Sequence, residues 1–347
     1  MRKTAISRLS LIVAIAMLAS SLLVFASCKR PIKVNQDTEY GLFRTYLSLI
    51  DYSGDGEDEF LRRFETVVAM ATEYDRLFDI YNEYEGINNL ATVNRLAADG
   101  PVKVDGKIID LLMFSIEIYN LTEGNTDVTM GPVLKIWHDH REIGNAKPDS
   151  ATLPDPSELS AAAELVGIDG LVIDEEASTV YFAKPGMRLD VGAVAKGYAA
   201  ERLAEWLASD SAEGYVVDFG GNLRAVGRKP DGNGWESGVR NPDQYDFEKP
   251  YVYYFELADG SAVTSGNYEN YYTVGGKDYH HIINKDTLMP AEFFSSVTVI
   301  TKNSGLADGL STALFNMSYE DGRALVDSMD GVKVVWITLD GEMIVSE

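Results

Sequence analysis

The second half of the chain is punctuated in a way that leaves few folds open. Short runs of β-branched and aromatic residues alternate with Gly-Gly or Asp-Gly pairs. Residues 216–219 stop at Gly220-Gly221, 251–257 and 261–264 flank Asp259-Gly260, and 271–274 and 278–283 flank Gly275-Gly276. Such pairs supply the positive φ angles of tight turns between antiparallel strands, so 251–264 and 271–283 each read as a hairpin. Residues 294–301 read as one more strand, and 332–338 with 342–345 as a terminal hairpin. Strand-like pieces also occur at 43–52, 171–174, 179–183, 187–191 and 223–227. A regular strand–helix–strand alternation is missing, which excludes a Rossmann-type sheet. The pattern is α+β, with mostly antiparallel sheet and inserted helices.

The helices show a different period. Phe60, Leu61, Phe64, Val67, Val68, Ala71, Tyr74, Leu77 and Phe78 recur at helical spacing within 57–81. Asp105 is placed to cap a second helix, whose face carries Ile108, Ile109, Leu112, Ile116 and Tyr119. Further helices are expected at 195–208, 305–317 and 320–329. Residues 138–158, rich in Asp, Pro and Gly, read as a surface excursion.

Charge narrows the partners. The formal net charge is −24 over 347 residues. No basic patch exists to neutralise phosphates, which excludes nucleic acid as a partner. A bound anion would need a local cation or a metal against that field. Arg2, Lys3 and Arg8 precede an apolar run over 9–25, followed by Ala26-Ser27-Cys28. This is a secretory signal pattern. It resembles a bacterial lipoprotein signal, with Phe25 where leucine is usual; an ordinary leader followed by an incidental cysteine is the alternative. Cys28 is the only cysteine of the chain. Its lipidation would leave no thiol for disulfides or catalysis. The expected organisation is a signal peptide over 1–27, a lipid-anchored tether over 28–39, and a domain over 40–347, held on the outer side of the membrane in a bacterial cell envelope.

Several short stretches carry chemistry. MRLDVGAVAKGYAAERLAEWL, at 187–207, runs from a strand-like start through a Gly-Ala turn with one lysine into a helix. A glycine-rich turn before a helix is a common phosphate cradle. Here Lys196 is followed by Gly197 and Tyr198, so the turn is neither a P-loop nor G-x-G-x-x-G. Asp308 and Thr312, four residues apart, share a helix face. They offer hard oxygens of the kind Mg²⁺ or Ca²⁺ takes, or they are merely a cap and a back-bonded threonine. His280 and His281 are adjacent on a strand-like run, so only one can enter a given pocket. Thr129, Gly131, Pro132 and Trp137 mark a turn.

Taken in order, six stretches resemble one family, the FAD:protein FMN transferases of the ApbE type. They are Thr129 to Trp137, Asp190 to Gly197, Gly220-Gly221-Asn222, Thr264 to Tyr268, His281 to Asn284 and Ala307 to Ala313. The resemblance implies a two-lobed, T-fold-related architecture. It places Phe43, Tyr81, Asn125, Thr126, Asp127, Asp190, Lys196 and Ile283 at FAD. It places the backbone carbonyl of Ala193 and the side chains of Asp308, Ser311 and Thr312 at Mg²⁺. The family usually follows its His-Ile-Ile-Asn with Pro-x-Thr-Gly-x-Pro; here Lys285 and Leu288 replace the proline and glycine.

The implied reaction is attack by a threonine hydroxyl of an acceptor protein on the FMN phosphorus of FAD, with AMP leaving. His281 is the candidate base, and the resemblance makes Lys196 a flavin-site or phosphate contact beside the metal, with a catalytic role. The implied acceptors are flavoprotein subunits of membrane redox complexes of the Na⁺-translocating NADH:quinone reductase or Rnf type. Two alternatives stay open at this point: hydrolysis of FAD to FMN and AMP, and flavin binding without turnover.

Overall fold

The computed structural model describes residues 33–243 and 246–346. The expected leader, its cleavage point and Cys28 lie outside the described residues. In chain order the elements are β1 (Asn35–Tyr40), β2 (Tyr46–Asp51), α1 (Glu57–Phe78), α2 (Leu90–Leu96), β3 (Val102–Lys103), α3 (Gly106–Leu121), α4 (Gly131–Ala146), α5 (Pro156–Ala163), β4 (Leu171–Asp174) and β5 (Thr179–Phe182). There follow α6 (Ala195–Ser209), β6 (Tyr215–Phe219), β7 (Asn222–Val226), β8 (Trp235–Arg240), β9 (Tyr251–Leu257), β10 (Ser261–Gly266), β11 (Tyr271–Val274) and β12 (Lys277–His280). The chain ends with β13 (Phe294–Thr301), α7 (Ser304–Phe315), α8 (Tyr319–Asp327), β14 (Lys333–Thr338) and β15 (Met343–Val345).

Among the described residues the largest sheet has eight strands in the order β1-β2-β6-β7-β10-β13-β14-β15. Every neighbouring pair is antiparallel. The strand β6 shows why the sheet is covered on both sides. Tyr215, Val217 and Phe219 point into the main core with the helices. Val216 points the other way, into a second cluster with Trp235 and Leu257 of the β8–β9 hairpin. Alternate side chains of a strand face opposite ways, so a sheet covered on both faces gives the near-continuous apolar run YVVDF. On the helix side α6 and α7 pack against each other, with α7 over β10 and β13 and α6 over β7. The residues from Asn35 onward form one compact unit. No described helix is long and apolar enough to cross a membrane.

Local signals explain much of this. The helix α1 buries Phe60, Val67, Ala71, Tyr74, Leu77 and Phe78 along one stripe. Asp105 caps α3 by accepting from the Lys107 amide at 2.8 Å. The Gly275-Gly276 turn joins β11 to β12, with both glycines at positive φ.

Other expectations are corrected. The 251–264 stretch is not a hairpin: β9 pairs with β8, while β10 joins the large sheet between β7 and β13. The long antiparallel pairing of β10 with β13 outweighs the local turn signal, a tertiary override of a short-range preference. The strand expected at 43–52 begins only at Tyr46, after a short 3-10 turn over Leu42–Arg44. Residues 35–39, expected in the tether, are strand β1. Residues 187–191 form no strand. Asn94 supplies the missing partner: its side chain accepts from the Leu189 amide at 2.7 Å and donates to the Leu189 carbonyl at 3.0 Å. The 138–158 excursion contains the second half of α4 and the start of α5.

Candidate functional site

The lysine turn is fixed by a helix crossing. A methyl group built on Gly197 would lie 2.4 Å from both the Ser304 carbonyl oxygen and the Asp308 Cβ. Only glycine lets α6 and α7 approach so closely. At that contact the Gly197 amide donates to Asp308 Oδ2 at 2.8 Å. Lys196 and Asp308, far apart in sequence, therefore come to one place. The segment before α4 is tied to the same helix, because the Thr126 hydroxyl donates to the Gly309 carbonyl at 2.7 Å. Gly131 is needed for a similar reason: a Cβ there would meet the Arg188 carbonyl oxygen at 2.4 Å.

These elements enclose a cleft of about 670 Å³. Its lining includes Phe43 and Tyr81, the Asn125–Thr126–Asp127 segment, and Asp190, Ala193 and Lys196. It also includes His281, Ile283, Asp308 and Thr312. Ser311 is not on that surface. It is fully buried; its hydroxyl donates to the Asp308 carbonyl at 3.0 Å and lies 2.9 Å from Ser265 Oγ.

Burial dominates the electrostatics. It raises the pKa of Asp308, against the opposing effects of Lys196, the Gly197 amide and the Asn222 side chain. It raises Asp190 and Asp127 as well, although Asp190 accepts from the Gly192 amide and Asp127 from Thr129. Among the described residues Lys196 forms no salt bridge; its charge bears on Asp308 and on His281. His281 is held down to about 3, by burial first and then by Arg141, His280 and Lys196, with a bond to the Asn270 backbone working the other way. Its Nδ1 is buried and has no hydrogen-bond partner. His280 faces elsewhere: its Nε2 donates to the Ala291 carbonyl at 2.8 Å and its Nδ1 accepts from the Ile282 amide. Only one of the pair enters the cleft.

Three loops complete the walls. Asp79 ends α1 and organises the first: its carboxylate accepts from the amides of Tyr81 and Asn82, the Asn82 side chain and the Tyr84 hydroxyl. The second, over 41–45, holds Phe43 and Arg44 at φ 48° and 59°, left-handed values that L-residues rarely adopt. The third carries the altered motif. Asn284 Oδ1 accepts from the amides of Asp286 and Thr287, and the Leu288 carbonyl accepts from Trp137 Nε1 at 2.9 Å. Leu288 has φ 57°, a conformation a glycine adopts freely. The side chains around the turn hold Leu288 in that conformation.

The chain brings further polar groups to the cleft that the motifs do not supply: Arg44, His138, Arg141, Glu269 and Lys285. Leu134, Trp137, His138 and Arg141 all line it, at i, i+3, i+4 and i+7 of α4. That helical spacing was readable from the sequence, but the polar composition of 138–158 masked it.

Asp308, the Thr312 hydroxyl and the Ala193 carbonyl are hard oxygens suited to Mg²⁺. The Thr312 hydroxyl has only a long 3.4 Å contact to Ser265 Oγ, which leaves it available. No group of three or more His, Cys, Asp or Glu among the described residues could hold an ion. An ion at Asp308 would complete its shell with substrate oxygens and water, as Mg²⁺ commonly does.

Comparison with known proteins identifies the family of the chain. Residues 46–336 match the profile of the ApbE family. The chain is 31% identical to the FAD:protein FMN transferase of Vibrio cholerae over 89% of each chain. It is 32% identical to that of Treponema pallidum, over 72% of this chain and 71% of the other. Its fold resembles the ApbE protein of Thermotoga maritima, with TM-score 0.78 and 26% identity over 91% of this chain and 97% of that one. It also resembles the flavin transferase ApbE of Vibrio cholerae, with TM-score 0.75 and 26% identity over 91% and 98% of the two chains.

Proposed function

This chain belongs to the ApbE family, and from that premise we propose that it transfers the FMN moiety of FAD onto a threonine of an acceptor flavoprotein and releases AMP. The observation that carries the proposal is the meeting of Lys196 and Asp308 at the Gly197 crossing, on the wall of a cleft large enough for a dinucleotide.

Each residue has a chemical task in this reading. The acceptor hydroxyl attacks the FMN phosphorus, the bond to the AMP oxygen breaks, and the hydroxyl proton must go to a base. His281 is neutral in the cleft and has an unpartnered Nδ1, so it is in the form that accepts a proton. Burial first, and then Arg141 and Lys196, depress its basicity; an incoming diphosphate offsets the two charges. Lys196 stabilises the negative charge that shifts toward the leaving AMP. Asp308, Thr312 and the Ala193 carbonyl would hold Mg²⁺, which supplies charge neutralisation and in-line alignment of the phosphate oxygens. Tyr81, Phe43, Asn125, Asp127, Asp190 and Ile283 position the flavin and adenine parts.

The acceptors in this reading are flavoprotein subunits of Na⁺-translocating NADH:quinone reductase or Rnf-type complexes. The enzyme works outside the cytoplasm, anchored to the membrane through lipid on Cys28. The test is to incubate the purified chain with FAD, with and without Mg²⁺ and with an acceptor carrying or lacking its threonine. AMP and covalent flavin should form in equal amounts and need both. AMP with free FMN, formed without an acceptor, would make the chain a hydrolase and overturn the transfer reading.

A further inference from the structure

Four side chains from three segments touch one another in series along the cleft, and none of the family motifs supplies the row as a unit. The Arg44 guanidinium lies over the Tyr81 ring, 4.7 Å from its centroid. The Tyr81 and His138 rings lie 4.8 Å apart. Arg141 Nη2 lies 3.1 Å from His138 Nδ1. A guanidinium can only donate, so His138 accepts through Nδ1 and is the neutral Nε2–H tautomer. Burial first, and then Arg141, lower the His138 pKa, which keeps it in that accepting form.

Arg141 itself is half-buried and forms no salt bridge among the described residues. Burial works against its charge, as does Arg44, and the carboxyl groups of Glu142 and Asp190 oppose this without a direct ion pair. A guanidinium oriented by a neutral partner keeps most of its five donors, and its charge, for a ligand. It faces the same cleft as Lys196, and both charges act on His281. In a chain of net charge −24, a diphosphate depends on such local cations. The planar fork of arginine matches two phosphate oxygens better than it matches one ring carbonyl.

We infer that Arg141, oriented by His138, is a second anion-binding residue of the cleft and donates to a phosphate oxygen of the dinucleotide. The inference rests on the reading that the cleft takes FAD. It adds a binding residue that lies outside the shared motifs, on the part of α4 that reads as surface in the sequence.

Titration of wild type, Arg141→Met, Arg141→Lys and His138→Phe with FAD, FMN and riboflavin tests it, with flavin fluorescence as the signal and thermal melts to confirm folding. Arg141→Met should weaken FAD and FMN by about tenfold to a hundredfold, the loss expected for one charge-assisted hydrogen bond, and leave riboflavin within about twofold. Arg141→Lys should retain part of the phosphate affinity. His138→Phe should fall between wild type and Arg141→Met for the two phosphorylated flavins alone. Equal losses for riboflavin would move Arg141 to the ring edge and overturn the phosphate assignment. Unchanged FAD affinity in Arg141→Met, with wild type binding FAD, would overturn the inference alone. A wild type that binds no flavin would overturn the FAD reading beneath it.

Discussion

Two walls of one cleft are built in opposite ways. At the α6–α7 crossing, backbone meets backbone. Gly197 has no room for a methyl group, its amide holds Asp308, and Lys196 follows from the same turn. Across the cleft, the wall from Tyr81 through α4 to the 284–290 loop is held by side chains. Asp79 gathers the 79–84 loop, Trp137 holds the Leu288 carbonyl, and Asn284 holds the turn that follows it. The first wall fixes residue types, because no other side chain fits. The second is a shape held by side-chain hydrogen bonds, with Lys285 and Leu288 in its turn.

The comparison can be broken at its rigid side first. Asp308→Ala should lower Mg²⁺-dependent AMP release by at least about a hundredfold, since a catalytic ion supplies several kcal/mol of charge stabilisation. Its stability should hold or rise at neutral pH. Burial raises the folded pKa of this carboxyl above its unfolded value near 3.9, so keeping it ionised costs stability above that range and the cost fades as pH falls. A clear drop in melting temperature at pH 7 together with unchanged turnover would make Asp308 structural.

Gly197→Ala comes next. The methyl group would meet the Ser304 carbonyl at 2.4 Å, and backbone cannot step aside as a flexible side chain does. Overpacking of this kind costs about 1–3 kcal/mol. Chemical denaturation should show that loss, and FAD affinity should fall with it because Lys196 and Asp308 move apart. A variant as stable as wild type would mean that the crossing is soft.

The smallest effect is expected on the other wall. Leu288→Gly removes a left-handed conformation that costs an L-residue roughly 1–2 kcal/mol. It also removes a partly buried side chain packed on the Met130, Val133 and Trp137 cluster. The two changes nearly cancel, so stability should stay within about 1 kcal/mol and FAD affinity should be unchanged. A loss beyond about 3 kcal/mol would show that this turn is packed as tightly as the helix crossing.

The antiparallel character, most helices and the residues of the first wall are legible in the sequence. Gly-Gly turns, caps such as Asp105 and the Asp190–Gly197 and Ala307–Ala313 stretches act within a few residues of themselves, and local physics is written locally. Tertiary structure alone decided that β10 leaves β9 for β13, that Asn94 stands in for a strand beside Leu189, and that His138 and Arg141 turn into the cleft. Each of these depends on a partner distant in sequence. Whether a polar helical face meets solvent or a ligand is settled only when distant segments, here those carrying Lys196 and His281, have been folded around the same cleft.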